Sequence, residues 1–198
     1  MAPLTLSRWG GSALVAGSFL FILNKLDDMS QAFFDRPMRD LITGRDSALI
    51  AVGQVLLVIG LLGYYLVYAK RCNRPGKLGL FLLLTGGILL ALGHATFTPF
   101  VKDDWLFALV ILGVFLMVAG LTLFGAINLR SRALQYWQPL PLVTGLLGAA
   151  SFLLSDSIDN PLIFLSFRTF FGVGLVLMGV ILWRDTRGFT ARDKEVAL

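Results

Sequence analysis

Arg168 is the residue whose type fits its surroundings least. It stands among Phe164, Phe167, Phe170 and Phe171, in an apolar run that opens at Asn160–Pro161. An arginine at such depth in a membrane costs about 3 kcal/mol on insertion scales, so it faces protein or water and takes a partner. The candidate carboxylates are Asp156, Asp159, Asp103 and Asp104, which fall on the same side of the membrane. His94 is the only histidine and lies in GHATFTP, beside Thr96 and Thr98. Together these residues form a candidate polar cluster, in which a histidine beside Asp103 or Arg168 can handle protons. A structural reading stands next to it: a snorkelling arginine or an ion pair, with a hydrogen-bonded histidine.

The remaining chemistry is defined by exclusion. One histidine cannot provide bis-imidazole haem ligation, and no HExxH, EExH or paired-cysteine pattern accompanies it. The chain has no GxSxG, no Walker loop and no GxGxxG, and Gly172-x-Gly174 inside an apolar run marks no phosphate site. No catalytic residue, metal ligand or cofactor follows from the sequence. Cys72 is the only cysteine, so it forms no intrachain disulfide. Gln54, Asn128, Thr122, Thr144 and Ser151 are scattered polar positions that read as hydrogen-bonding glue between helices.

The elements that must position these residues are membrane helices. The chain is 57% hydrophobic and 15% charged, with mean hydropathy +0.79. A soluble domain of this length could not hide that much apolar surface. The apolar runs do not alternate, which excludes a β-barrel. One domain of six transmembrane helices is expected, at about 9–23, 47–69, 78–98, 105–129, 139–155 and 162–183. The first has a basic start and a short apolar core but no small-x-small cleavage site, so it reads as a retained helix. The polar stretch after it suggests an interfacial helix at about 30–43, limited by Pro37, or an outer loop whose aromatics rest on the bundle. Tyr64, Tyr65 and Tyr68 read as interface anchors, and Pro139 and Pro141 as first-turn residues of the fifth helix.

Charge sets the orientation. With six crossings, one side holds eleven Lys and Arg against three acids, and the other holds five against nine. Basic residues concentrate on the cytoplasmic side. Both termini are therefore expected in the cytoplasm, in a multi-pass protein of the plasma or inner membrane. The net charge of +5 serves this orientation and does not indicate nucleic acid as a partner.

A glycine pattern recurs three times: GQVLLVIG from Gly53 to Gly60, GVFLMVAG from Gly113 to Gly120, and GVGLVLMG from Gly172 to Gly179. Seven residues are nearly two helical turns, so each pair shares a face. Small residues on one face let helix backbones approach closely in lipid. Ala16–Gly17, Thr85–Gly86 and Thr144–Gly145 echo the pattern on the odd-numbered helices. The unit is then a helical hairpin, and three parallel copies surround a pseudo-threefold axis along the membrane normal.

Three functions compete. A scaffold or accessory subunit of a membrane complex ranks first, on the smooth apolar helices, short loops and packing grooves; its partners are the bilayer and other membrane subunits or further copies of itself. A small transporter or channel with an outer-side site around Arg168 and His94 ranks second. An intramembrane enzyme acting on lipid or quinone ranks third, because it would need a convergent acid–base set.

Overall fold

A computed structural model describes residues 3–34, 47–94, 105–134, 136–154 and 161–185. They form six helices: α1 (Pro3–Phe34), α2 (Ser47–Tyr68), α3 (Arg74–His94), α4 (Leu106–Ser131), α5 (Leu140–Leu153) and α6 (Pro161–Arg184). All except α5 are long and apolar enough to cross a membrane. At 1.5 Å rise per residue, the 14 residues of α5 span about 21 Å, short of a hydrocarbon core of about 30 Å.

The helix ends follow local chemistry. Pro3 occupies the first position of α1, where its missing N–H costs nothing. From there α1 runs 32 residues, well past the end near residue 23 that hydropathy suggests, because the polar residues that close the apolar run do not break a helix. The interfacial element expected at about 30–43 thus overlaps the end of α1, and its part from residue 35 on lies outside the described residues. The basic turn after α2 is a single 3-10 turn, Ala69–Arg71. Asn73 then caps α3, its Oδ1 accepting the Gly76 N–H at 3.2 Å. At the far end of α4, Arg132 adopts a left-handed conformation (φ 51°) and donates its N–H to the Asn128 carbonyl. The link to α5 is held from within. Buried Asn128 donates to the Gln138 carbonyl at 2.8 Å, and its Oδ1 accepts the Leu134 N–H at 2.9 Å.

Sequential helices are neighbours, and α1 also packs along α6, so the six close into a ring. The enclosed core is built from Leu57, Leu61, Tyr64 and Tyr68 of α2, Leu83 and Leu90 of α3, Met117, Leu121 and Phe124 of α4, and Leu175 and Met178 of α6. Large apolar side chains such as Phe81, Phe107, Phe115 and Phe170 point outward, as expected of faces that meet lipid tails. Two of the presumed interface anchors turn inward instead. Tyr64 and Tyr68 are fully buried, because their face of α2 meets Phe124 rather than the membrane surface. Three of the polar positions also bond differently from the sequence reading. Thr122, Thr144 and Ser151 donate to carbonyls of their own helices (Val118, Leu140 and Gly148), the local back-bonding that a short hydroxyl side chain makes most easily.

The six recurrent glycines all face other helices. A Cβ added at Gly53 would meet Leu20 of α1, and one at Gly60 would meet the Leu14 backbone of α1 at 2.5 Å. At Gly113 it would meet Leu90 N at 2.6 Å, and at Gly120 Leu83 N at 2.5 Å, both on α3. In α6 the neighbour changes. Gly172 lies against Phe21 and Ile22, and Gly179 against Gly11 and Val15, all on α1 rather than on α5. The contact of α6 with α5 runs instead through Gly174, which lies against Thr144.

Gly120→Leu should therefore force α3 and α4 apart and destabilise the fold by about 2 kcal/mol or more. Leu112, 46% exposed, provides the control, since Leu112→Ala should be nearly neutral. Thermal unfolding of both variants in detergent makes the comparison; equal midpoints would contradict the close α3–α4 seam.

Candidate functional site

Polar side chains gather at opposite ends of the ring. At one end, where α2 and α6 finish, Asp185 is 4% exposed. Its Oδ2 accepts the Tyr68 hydroxyl at 2.8 Å and the Arg71 guanidinium at 2.8 Å. Arg71 also lies over the Tyr68 ring, 5.5 Å from its centroid. Tyr64 stacks obliquely on Tyr68, with centroids 4.6 Å apart. The Tyr64 hydroxyl and Asp185 Oδ1 are enclosed and make no hydrogen bond among the described residues. This arrangement ties α6 to α2 across the end of α1.

Cys72 adjoins this network and is buried. Burial pushes its thiol pKa up, against the smaller opposing pull of Lys77 and Arg71. A thiol held protonated in this way is a poor nucleophile.

At the other end, a cavity of about 60 Å³ opens between α1, α2 and the last residue of α3. Gln54, Asn24, Lys25 and His94 supply its polar lining, and Gly17, Leu20 and Phe21 belong to its apolar wall. The His94 Nδ1 lies 2.8 Å from the Leu90 carbonyl. A carbonyl only accepts, so Nδ1 carries the proton there.

Arg168 is half-buried on α6, with its guanidinium 5.0 Å from the centroid of the Phe164 ring, one turn nearer the helix start. That direction is the usual lean of a long helical side chain. Arg168 is not among the residues lining the His94 cavity, so the structure does not gather the two into one pocket. Asp103, Asp104, Asp156 and Asp159 lie outside the described residues. Among the described residues, no group of three or more His, Cys, Asp or Glu side chains could hold a metal ion.

Sequence reasoning missed Asp185, which it counted with the charged tail. An acid one residue past the apolar run, across from a helix and turn that end Tyr-Tyr-x-x-Tyr-x-Lys-Arg, was the available signal. The cavity had no comparable signature, since its lining comes from three separate helices. No family model, curated protein or solved structure matches this chain.

The Asp185 network should behave as a coupled unit. Tyr68→Phe and Asp185→Asn should each destabilise by about 1–3 kcal/mol. The double variant should lose clearly less than the sum of the two. A double-mutant cycle on unfolding midpoints measures the coupling, and strict additivity would contradict a shared hydrogen bond.

Proposed function

We propose that this multi-span helical membrane protein is a non-enzymatic scaffold or accessory subunit of a membrane complex. The observation that carries the reading is the closeness of its helices. Backbones approach to within the space of a single methyl group along α1–α2, α1–α6 and α3–α4, a construction suited to a rigid ring. Outward faces rich in Phe, Leu and Val are available to lipid, to other membrane subunits or to further copies of the chain.

A small transporter or channel is the second reading. Support for it is the cavity beside His94, with Arg168 as an additional cationic residue. The glycine contacts of the first two hairpins, each facing its own partner helix, support the three-hairpin architecture; α6, whose glycines turn to α1, departs from that symmetry. The charge asymmetry between the two sides of the membrane supports cytoplasmic termini in a plasma or inner membrane.

Purification in a mild detergent tests the function. The scaffold reading expects an assembly, with itself or with another integral membrane protein in fixed stoichiometry. A monomer that drives solute flux in proteoliposomes would overturn it in favour of transport. Orientation is read in cells: Lys70, exposed within the 3-10 turn, is replaced (Lys70→Cys with Cys72→Ser). A membrane-impermeant thiol reagent should label that position only after the membrane is opened.

A further inference from the structure

The corner of the ring where α3 starts and α4 finishes carries a positive charge that its own sequence does not balance. Lys70 stands in the 3-10 turn, Arg74 and Lys77 in the first turn of α3, and Arg130 and Arg132 at the end of α4, all with exposed side chains. The two helices touch there, since a Cβ at Gly76 would lie 3.3 Å from the Ile127 side chain. Residues 70–77 and 130–138 contain no Asp or Glu. Asp185, at the same end of the ring, is buried and already shared by Tyr68 and Arg71. Like charges gathered on touching helix ends repel one another. The start of α3 adds to the potential, because the N-terminus of a helix is its positive end. An anion relieves both.

The link from α4 to α5 sets the depth at which that anion is met. Tyr136 and Trp137 are 60% and 63% exposed. Trp137 has a left-handed backbone (φ 54°), as does Arg132 (φ 51°), and among the described residues no other non-glycine residue has a positive φ. That conformation is costly for a bulky side chain. Buried Asn128 braces the link that contains it, through the Leu134 N–H and the Gln138 carbonyl. Two aromatic rings are thus turned outward next to the basic helix ends. Tyr and Trp at the ends of membrane helices settle at the headgroup level of a bilayer. Cations and aromatic rings at that level fit a lipid phosphate better than a soluble anion or an acidic polypeptide.

We propose that this corner, formed by the start of α3, the end of α4 and the link to α5, binds the headgroups of anionic phospholipids. Arginine and lysine take the phosphate, and Tyr136 and Trp137 lie against the glycerol and upper acyl chains. A zwitterionic lipid brings an ammonium of its own, which the cations repel, so the corner selects for net negative charge. The scaffold reading is not required, because the corner is complete within one chain.

Trp137 is a built-in reporter. The full chain, with Trp137 as its lone tryptophan (Trp9→Phe, Trp105→Phe, Trp183→Phe), is placed in phosphatidylcholine vesicles that hold a minor fraction of phosphatidylglycerol. Bromine, which quenches tryptophan fluorescence, is carried either by the phosphatidylglycerol or by an equal amount of the phosphatidylcholine. The brominated phosphatidylglycerol should quench at least about twofold more. The triple variant Arg74→Gln, Lys77→Gln, Arg130→Gln should lose most of that excess. The pair Arg8→Gln and Arg184→Gln, exposed positions on α1 and α6, should keep it. Equal quenching by the two lipids, the result expected of a corner reserved for an acidic polypeptide or a soluble anion, would overturn the proposal. So would an excess that survives the triple variant or falls equally in the α1–α6 pair. Should the single-tryptophan chain fail to fold, the quenching that wild type loses on Trp137→Phe gives the same comparison.

Discussion

The close approach of α1 to two helices at once is the constraint on which the rest of the ring depends. Lipid tails are as apolar as leucine, so burial alone does not hold helices together in a bilayer; dispersion between surfaces in contact must do so. Contact is made along two seams of α1. Gly10 and Gly17 meet Gly63, Gly53 and Leu57 of α2, while Gly11 meets Gly179 and Trp183 of α6. At Gly10 and Gly63 each Cα fills the space that the other's Cβ would need, at 2.9 and 2.8 Å. No side chain larger than hydrogen fits both positions without moving a backbone. The first and last helices are thereby joined, and the ring is closed.

That closure positions the polar chemistry. Once α6 lies along α1, the residue that follows it comes to the end of α2, where the Asp185 carboxylate finds Tyr68 and Arg71. Charge and hydroxyl satisfy one another there, in a region otherwise made of Tyr64, Phe124 and leucines. At the opposite end lies the cavity between α1, α2 and His94. The middle of the ring, sealed by the glycine contacts, carries the apolar core.

Much of this was legible in the sequence, and the limits have physical causes. Run length and composition give the membrane helices; the fifth, expected at 139–155, is the 14-residue α5 (Leu140–Leu153), and Ser155 lies outside the described residues. Glycine spacing identifies a face, since seven residues nearly complete two turns. It does not identify the helix opposite, which is why Gly172 and Gly179 turn out to face α1 rather than α5. Tyr64 and Tyr68 match an interface belt by residue type and depth, but their rotation about α2 depends on Phe124 across the ring, a long-range contact without local signature. Asp185 looked like solvated tail for the same reason. Arg168 and His94 stand out by residue type, but of the two only His94 lines the cavity between α1 and α2.

The closure of the ring by α1 and α6 is best tested by crosslinking. A Cβ at Gly11 would lie 2.9 Å from the Trp183 Cβ and 2.8 Å from its backbone N, closer than the roughly 3.5–4.5 Å of a disulfide, so the seam must ease by about an ångström for the pair to bond. In a Cys72→Ser background, the pair Gly11→Cys and Trp183→Cys should oxidise rapidly to an intrachain disulfide in membranes. The control pair Gly11→Cys and Leu129→Cys, with the second site on α4, should not. Efficient crosslinking of the first pair alone is the result the closed ring predicts. No crosslink between α1 and α6, or equal crosslinking of both pairs, would contradict it.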